Sequence, residues 1–466
     1  MKKVVIIGSG VGGSALAALL STEGYSVTVL EKNAFVGGRA ASYERDGFVC
    51  DMGVHYVGRG EKGPHGEVAR RVGAGVGTRC ADVGLAFTKP WTLLKMARLF
   101  GIKPRDFLSI FRAVRELKKP RTDEEIAAFD EVPLREFLLR YSDDPAFFMV
   151  MDMIAALLFV TAVAETSLGE FMHSFSTWAN LASSSYPKGG FIRIAKSFLE
   201  AAERNGAKVL TGKAATAVRL ENGRAVGVEC GEEFFPADLV VSNAGVSNTV
   251  KLAGEDAFGK DYAEHVSGFK YSGGAVTLKY GLDYAPMDIP ILLQHEPGAD
   301  SKDYLERIQA GEIPQSPPLF AVSPTVVDPS LAPPGKHLLL VATVLPPSLE
   351  AEGRSDEVLD RLERKMPALF PGIENHILWK HRTTLEYTNA MSNRGMADCI
   401  GLAQTHYQCG RNKPDPRTPV PGLYLVGCDS GGRGIGTEQA SDSALNVCEM
   451  ILADAGANRR EKSSAA

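Results

Sequence analysis

No two of the seven cysteines, at positions 50, 80, 230, 399, 409, 428 and 448, stand at C-x-x-C spacing. The lack of that spacing argues against a zinc site or a dithiol redox centre, and the odd count argues against a disulfide framework. No metal is expected, and a reducing, cytoplasmic compartment is. Positive charge is not in excess: the net charge of −5 gives no general attraction to nucleic acid. Internal repeats and long low-complexity linkers are missing too. The first apolar run, Val4–Ile7, is too short for the core of a signal peptide and reads as a strand. The longest apolar stretch, Ala146–Ala164, carries Asp152 near its middle. A carboxylate there is costly in lipid, so the stretch predicts a buried helix lining an apolar cavity rather than a membrane span.

What is present begins at once. "KKVVIIGSGVGGSALAALLSTEGYSVTVLEK" reads as strand, turn, helix, turn, strand. Gly8, Gly10 and Gly13 form G-x-G-x-x-G, with Gly12 between the last two. The first glycine permits the tight turn and the second a close approach of backbone to a pyrophosphate. The third lets helix and strand pack, so that the helix N-terminus faces the anion. Glu31 closes the second strand, eighteen positions after Gly13, where a carboxylate can accept from both ribose hydroxyls of an adenosine. Lys32 follows it. No second G-x-G-x-x-G follows a clear strand, so the motif serves one dinucleotide. Oxygen, a quinone or another redox protein is left as the electron acceptor.

Past Glu31, "EKNAFVGGRAAS" and "FVCDMGVHYVG" follow in close order. These segments resemble the flavoprotein family that includes phytoene desaturases, carotenoid isomerases, retinol saturase and the flavin amine oxidases. The resemblance implies FAD as cofactor, with Gly37 and Gly38 along its diphosphate and Arg39 neutralising phosphate charge. A plain salt bridge is the other reading of Arg39. Gly53, Val54 and His55 then approach the flavin. His55 and Tyr56 are the candidate catalytic groups, with a hydrogen-bonded structural histidine as the alternative. Tyr186 and Lys188 are weaker candidates, Lys188 reading also as a turn residue.

The resemblance continues through "SSYPKGGFIRIAKSFLEAAERNGAKVL", a Pro-x-Gly-Gly entry to a helix and then a strand. It continues through "AATAVRLENGRAVGVECGEEFFPADLVVSNAG", which implies a backbone contact to adenine near Ala215. The Asp-Pro-Ser stretch within Pro318–Pro347 is similar to the desaturase, isomerase and saturase branch. Near the end, "GLYLVGCDSGGRGIGTEQASDSALNVCEMI" reads as the last strand of the FAD sheet, a bare loop and a helix. It implies cofactor contacts at Gly427, Cys428, Asp429, Gly434, Ile435, Gly436 and Thr437. Relatives end this strand in Gly-Asp, the aspartate holding the ribityl chain. Here either Cys428 takes that place or Asp429 has moved by one, and counting back from the helix favours Asp429.

The fold implied is α/β. A discontinuous Rossmann-like FAD-binding domain spans 1–65, 185–255 and 395–455, and an α+β substrate domain spans 66–184 and 256–394. Residues 456–466 form a flexible tail. The activity implied is desaturation, saturation or isomerisation at carbon–carbon bonds of an apolar, isoprenoid or polyene-like molecule. The alternatives are oxidation of a carbon–nitrogen bond, as in amine oxidases, and a non-catalytic prenyl-binding carrier of the same fold. For amines, the region Gly401–Gly410 offers only Tyr407 toward an aromatic cage. The segment from Lys89 to Arg121 carries ten Lys or Arg against Asp106 and Glu116, with an apolar face. A solvated cap surface is one reading of it, and peripheral contact with the inner face of a membrane is the other.

Overall fold

The structure is a computed structural model that describes residues 1–53, 59–75, 78–80, 102–103, 106–181, 185–294, 306–346 and 353–464. Val54, His55 and Tyr56 lie outside the described residues, as do Trp91, Leu94, Leu99 and Phe100 of the basic segment.

Two five-stranded sheets dominate, and they differ in kind. The first is parallel and gathers three distant stretches: β1 (Lys3–Ile7), β2 (Ser26–Leu30), β7 (Lys208–Leu210), β11 (Leu239–Ser242) and β17 (Leu423–Leu425), ordered β17-β11-β1-β2-β7. From its second residue onward, β1 is buried throughout, as a strand covered on both faces must be. Helix α1 (Val11–Thr22) is buried from Val11 to Ser21, wedged against α6 (Ile192–Arg204) and α9 (Gly436–Ser464). Ala15, Ala17 and Ala18 keep it slim enough to fit. Helix α9 continues to Ser464, into the 456–466 stretch expected as a tail.

The second sheet is antiparallel and comes from one region: β12 (Gly274–Leu282), β13 (Ile291–Gln294), β14 (Leu319–Val322), β15 (His337–Leu345) and β16 (Ile377–Thr383), ordered β13-β14-β15-β12-β16. Its strands alternate by two. Val276, Leu278, Tyr280 and Leu282 of β12 join the core with Val358, Leu359 and Leu362, and the intervening positions turn the other way. The Asp-Pro-Ser segment links β14 to β15.

Smaller pieces join the two. Hairpin β3–β4 (Ser42–Arg45, Phe48–Asp51) ends in Asp51, a buried carboxylate that accepts from Ser42 Oγ at 2.6 Å, Phe191 N at 3.0 Å and the Tyr186 hydroxyl. It pins the hairpin to the start of α6. Strand β5 (Thr78–Cys80) pairs with β6 (Ser185–Pro187), and β8 (Ala217–Glu221), β9 (Arg224–Cys230) and β10 (Glu233–Pro236) form an antiparallel meander.

A helical layer completes the molecule: α2 (Pro64–Val72), α3 (Phe107–Leu117), α4 (Pro145–Phe159), α5 (Leu168–Leu181), α7 (Val246–Ala253) and α8 (Leu385–Ser392). Helix α4 holds most of the apolar stretch. Asp152, which argued against a lipid span, is buried and accepts from Val163 N at 2.9 Å, closing the turn that ends the helix. Among the described residues no helix is long and apolar enough to cross a membrane.

Candidate active site

The two sheets face each other across a cavity of about 660 Å³. Its floor is the carboxyl edge of the parallel sheet, the crevice where doubly wound sheets bind ligands. Gly8, with φ of 94°, turns the chain out of β1, and Gly10 and Gly12 line the cavity. Gly13 does not. A Cβ there would overlap the Gly8 carbonyl oxygen, so its role is packing of α1 against the strand. Gly427 also lies off the wall: a Cβ on Gly12 would meet its Cα at 2.9 Å, so the first and last loops touch as bare backbone.

At one end of the cavity Glu31 is oriented by its own neighbourhood. One carboxylate oxygen accepts from Ser9 N at 3.0 Å and Ser9 Oγ at 2.7 Å, the other from Asn33 N at 2.9 Å. Lys32 lines the cavity but gives its ammonium to the Ala390 carbonyl of α8 at 2.8 Å. Ala215 lines the same end. Asn243, which the sequence reading left unremarked, sits where the loops converge. Its amide lies 2.8 Å from a Cβ placed on Gly10 and 2.5 Å from one on Gly427.

Further along, Gly37 and Gly38 have φ of 102° and 57°, conformations open to glycine, and both line the cavity. Arg39 lines it too, yet its Nη1 pairs with the buried Asp398 and donates to the Asp398 carbonyl at 2.7 Å. Asp398 also accepts from Arg394 Nε at 2.8 Å and Gly401 N. Burial opposes its charge, but Arg39 and Arg394 prevail and hold its carboxyl below the usual range. Arg394 turns its other face to Asp429, which accepts also from Val246 N at 3.0 Å. The expectation that Asp429 reaches a ribityl chain therefore meets a carboxylate whose oxygens are already engaged. Beside it Cys428 lines the cavity, its Sγ 3.3 Å from the Gly436 carbonyl. Burial pushes its thiol up, so it stays protonated.

Gly53, Gly434, Ile435, Gly436 and Thr437 line the cavity as well. The late loop is anchored by Arg433. Its Nη1 and Nη2 donate to Asp130 at 2.9 and 2.8 Å, Nη1 reaches Glu170 at 3.1 Å, and Gly434 N donates to Glu170 at 3.2 Å. Both carboxylates are fully buried. Behind Thr437 lies His65, Nδ1 at 2.8 Å from Ser441 Oγ and Nε2 at 3.2 Å from Thr437 Oγ1. Tyr186 and Lys188 are not on the wall, and Tyr186 serves the Asp51 cluster instead.

The donor set fits a dianionic dinucleotide. Lys32, Arg39, Arg59, Lys213, Lys251 and Arg394 line the cavity against Glu31, Asp398, Asp429 and Glu438, an excess of two positive charges among the described residues. Bare backbone at Gly8, Gly10, Gly12, Gly37 and Gly38 gives a diphosphate close approach.

Residues 12–452 match the family model described as flavin containing amine oxidoreductase. The chain belongs to that family. It is an FAD-dependent oxidoreductase with an α/β fold built on a Rossmann-like sheet. Among curated relatives, it is 26% identical to a chloroplastic prolycopene isomerase of Daucus carota, over 98% of this chain and 81% of that one. It is 27% identical to a zeta-carotene-forming phytoene desaturase of Myxococcus xanthus, over 97% and 94%. An oxidoreductase from Methanosarcina mazei shares the fold at a TM-score of 0.75 and 22% identity, covering 96% of this chain and 100% of that one.

The sequence reading missed Asn243, Arg59 with Glu438, the Arg394–Asp398 pair and the Arg433 anchor. Only Asn243 had a signal, standing at the end of a predicted sheet strand.

Proposed function

We propose that this enzyme acts on carbon–carbon bonds of an apolar, polyene or isoprenoid substrate, by desaturation, saturation or isomerisation. FAD supplies the hydride acceptor or donor. Gly8 to Gly12, Glu31, Gly37 to Arg39, Gly53, Ala215, Cys428 and Gly434 to Thr437 would hold it, with Asn243 positioning the loops. Cys428, rather than Asp429, would stand nearest the ribityl chain, since Arg394 engages the carboxylate. The domain division expected from the sequence is proposed with it.

The observation that carries this reading is the wall opposite the cofactor side. Leu293, Phe320 and Ala342 of the antiparallel sheet line the cavity, as do Ala156 and Leu158 of α4, and the chemistry of such a lining is exclusion of water. Two relatives, the isomerase and the desaturase, carry carotenoid names. An amine site would call for an aromatic cage, and Tyr407 is 44% exposed and off the cavity wall. Helix α3 turns Leu108 and Phe111 outward beside Arg112 and Arg115, a surface suited to a peripheral position on the inner, cytoplasmic face of a membrane.

Purified protein should be yellow. Under anaerobic conditions, polyenes should bleach the flavin or be recovered as desaturated or isomerised products, and simple amines should not. Bleaching by amines alone would overturn the carbon–carbon reading, and a colourless protein that cannot be loaded with FAD would remove the enzyme altogether.

A further inference from the structure

The cavity face of the antiparallel sheet is laid out in transverse rows. Strand register sets Leu293 opposite Phe320, Phe320 opposite Ala342, Ala342 opposite Thr277 and Thr277 opposite Thr383. All five line the cavity. The row starts apolar and ends in two threonines on neighbouring strands.

Those threonines are each 2% exposed, and neither Oγ1 has a hydrogen-bond partner among the described residues. The next row differs. There Lys279 Nζ donates to the Met52 carbonyl at 2.6 Å and His381 Nδ1 meets the Tyr43 hydroxyl at 2.7 Å, so its polar groups are paired within the protein. A buried hydroxyl without a partner keeps its desolvation cost uncompensated. Valine has the same shape and the same branched Cβ, suits a strand equally well, and carries no such cost. A wall made only to hold hydrocarbon gains nothing from threonine at two adjoining positions. As placed, each Oγ1 is covered by protein, and rotation of χ1 between staggered wells brings the hydroxyl onto the wall in place of the methyl.

The chemistry of the missing partner follows from the row. Hydroxyls both donate and accept, which suits a carbonyl or another hydroxyl. The row has no charged side chain, so a charged group would enter it without a counter-ion. We propose that Thr277 and Thr383 bind a neutral oxygen at one end of an otherwise apolar substrate, and that the enzyme takes oxygenated polyenes or isoprenoids, alcohols or aldehydes, in preference to the parent hydrocarbons. The proposal rests on the reading of this cavity as a flavin and polyene site, and it names the substrate class.

The test uses the FAD-loaded full chain and reads binding from the shift of flavin absorbance on titration with detergent-dispersed farnesol and farnesal, against farnesene of equal carbon number. The oxygenated probes should bind about 10-fold more tightly or better. Thr277→Val and Thr383→Val should each remove about 10-fold of that preference and leave farnesene unchanged, while Thr277→Ser and Thr383→Ser keep it. Equal binding of the three probes by the unaltered protein, or binding of none, overturns the proposal, and this comparison needs no variant to fold. Valine variants that weaken all probes alike make the threonines packing residues and overturn it as well. Variants that lose FAD, or shift its spectrum without probe, place the hydroxyls on the cofactor and do the same. Failure of the unaltered protein to hold FAD at all is seen before any titration and counts against the proposed function itself.

Discussion

Arg394 grips both carboxylate oxygens of Asp429, at 2.7 and 2.8 Å, while its Nε donates to Asp398 at 2.8 Å. With Arg39 on the far side of Asp398, two cations and two anions form a neutral buried chain. Its members come from the Gly-Gly-Arg loop, the segment before the last sheet strand and the loop after it. Such a network couples three cavity walls, and it stays stable only while every charge keeps its partner.

Arg394→Met leaves Asp429 buried without its cation and Asp398 with one instead of two. The expected loss is about 3–5 kcal/mol of stability, read from thermal unfolding of the FAD-loaded protein. Arg394→Lys should fall between, because an ammonium lacks the planar group that holds Asp398 on Nε and Asp429 on Nη2 at once. A methionine variant as stable as the parent would show that the network is ornamental. Asp398 has a depressed carboxyl, so its contribution is present above the ordinary carboxylate range and is lost as pH falls through the lowered value.

His65 should govern acid sensitivity at milder pH. Burial, helped by the Arg59 charge, pushes its imidazole down to about 3. Between that value and the ordinary value of about 6.5, the unfolded chain binds a proton that the folded protein refuses. Stability is therefore full above that window and falls as pH drops through it, by about 1.4 kcal/mol per pH unit for one proton. His65→Gln, which keeps an amide between Ser441 and Thr437, should flatten the unfolding temperature against pH across this window. An unchanged slope would assign the acid loss elsewhere.

Gly13→Ala tests the close packing at the dinucleotide turn. The added methyl overlaps the Gly8 carbonyl, and backbone cannot rotate away as a side chain can. A cost of about 3 kcal/mol and poor retention of FAD are expected. Gly75→Ala is the control, since nothing among the described residues lies within 4 Å of the added atom. Its stability should stay within about 1 kcal/mol of the parent. Similar behaviour of the two variants would contradict the packing role.

Helix α3 predicts lipid binding that is sensitive to both charge and apolar surface. Leu108 and Phe111 are 61% and 50% exposed, while Ile110, Ala113 and Leu117 of the same helix face inward. Co-sedimentation with phosphatidylglycerol-containing vesicles should fall about 10-fold in Leu108→Asp/Phe111→Asp, and should weaken with salt in the parent. Binding that persists in the double variant would leave α3 as a solvated surface.

Local pattern carried much of the parallel-sheet side of the molecule. The apolar run of β1, the glycine spacing, Glu31 and the strand ending before Gly427 are readable because each depends on neighbours within a few residues. Asp152 told correctly against a lipid span, since one carboxylate in an apolar stretch needs a local partner and finds the Val163 amide. Arg39 shows where such reading stops. Its motif points to a phosphate, but Asp398, 359 positions away, also claims it, and no local rule could pair them.

By itself, the sequence determined the class of fold and the glycine turns that line the cavity, because glycine conformation and strand burial are set by short-range sterics and solvent exclusion. Only the tertiary structure decided that Arg394 engages Asp429, that Arg433 ties the late loop to Asp130 and Glu170, and that Thr277 stands beside Thr383. Ion pairs and strand register join residues remote in the chain, and their energies depend on which groups folding brings together away from water.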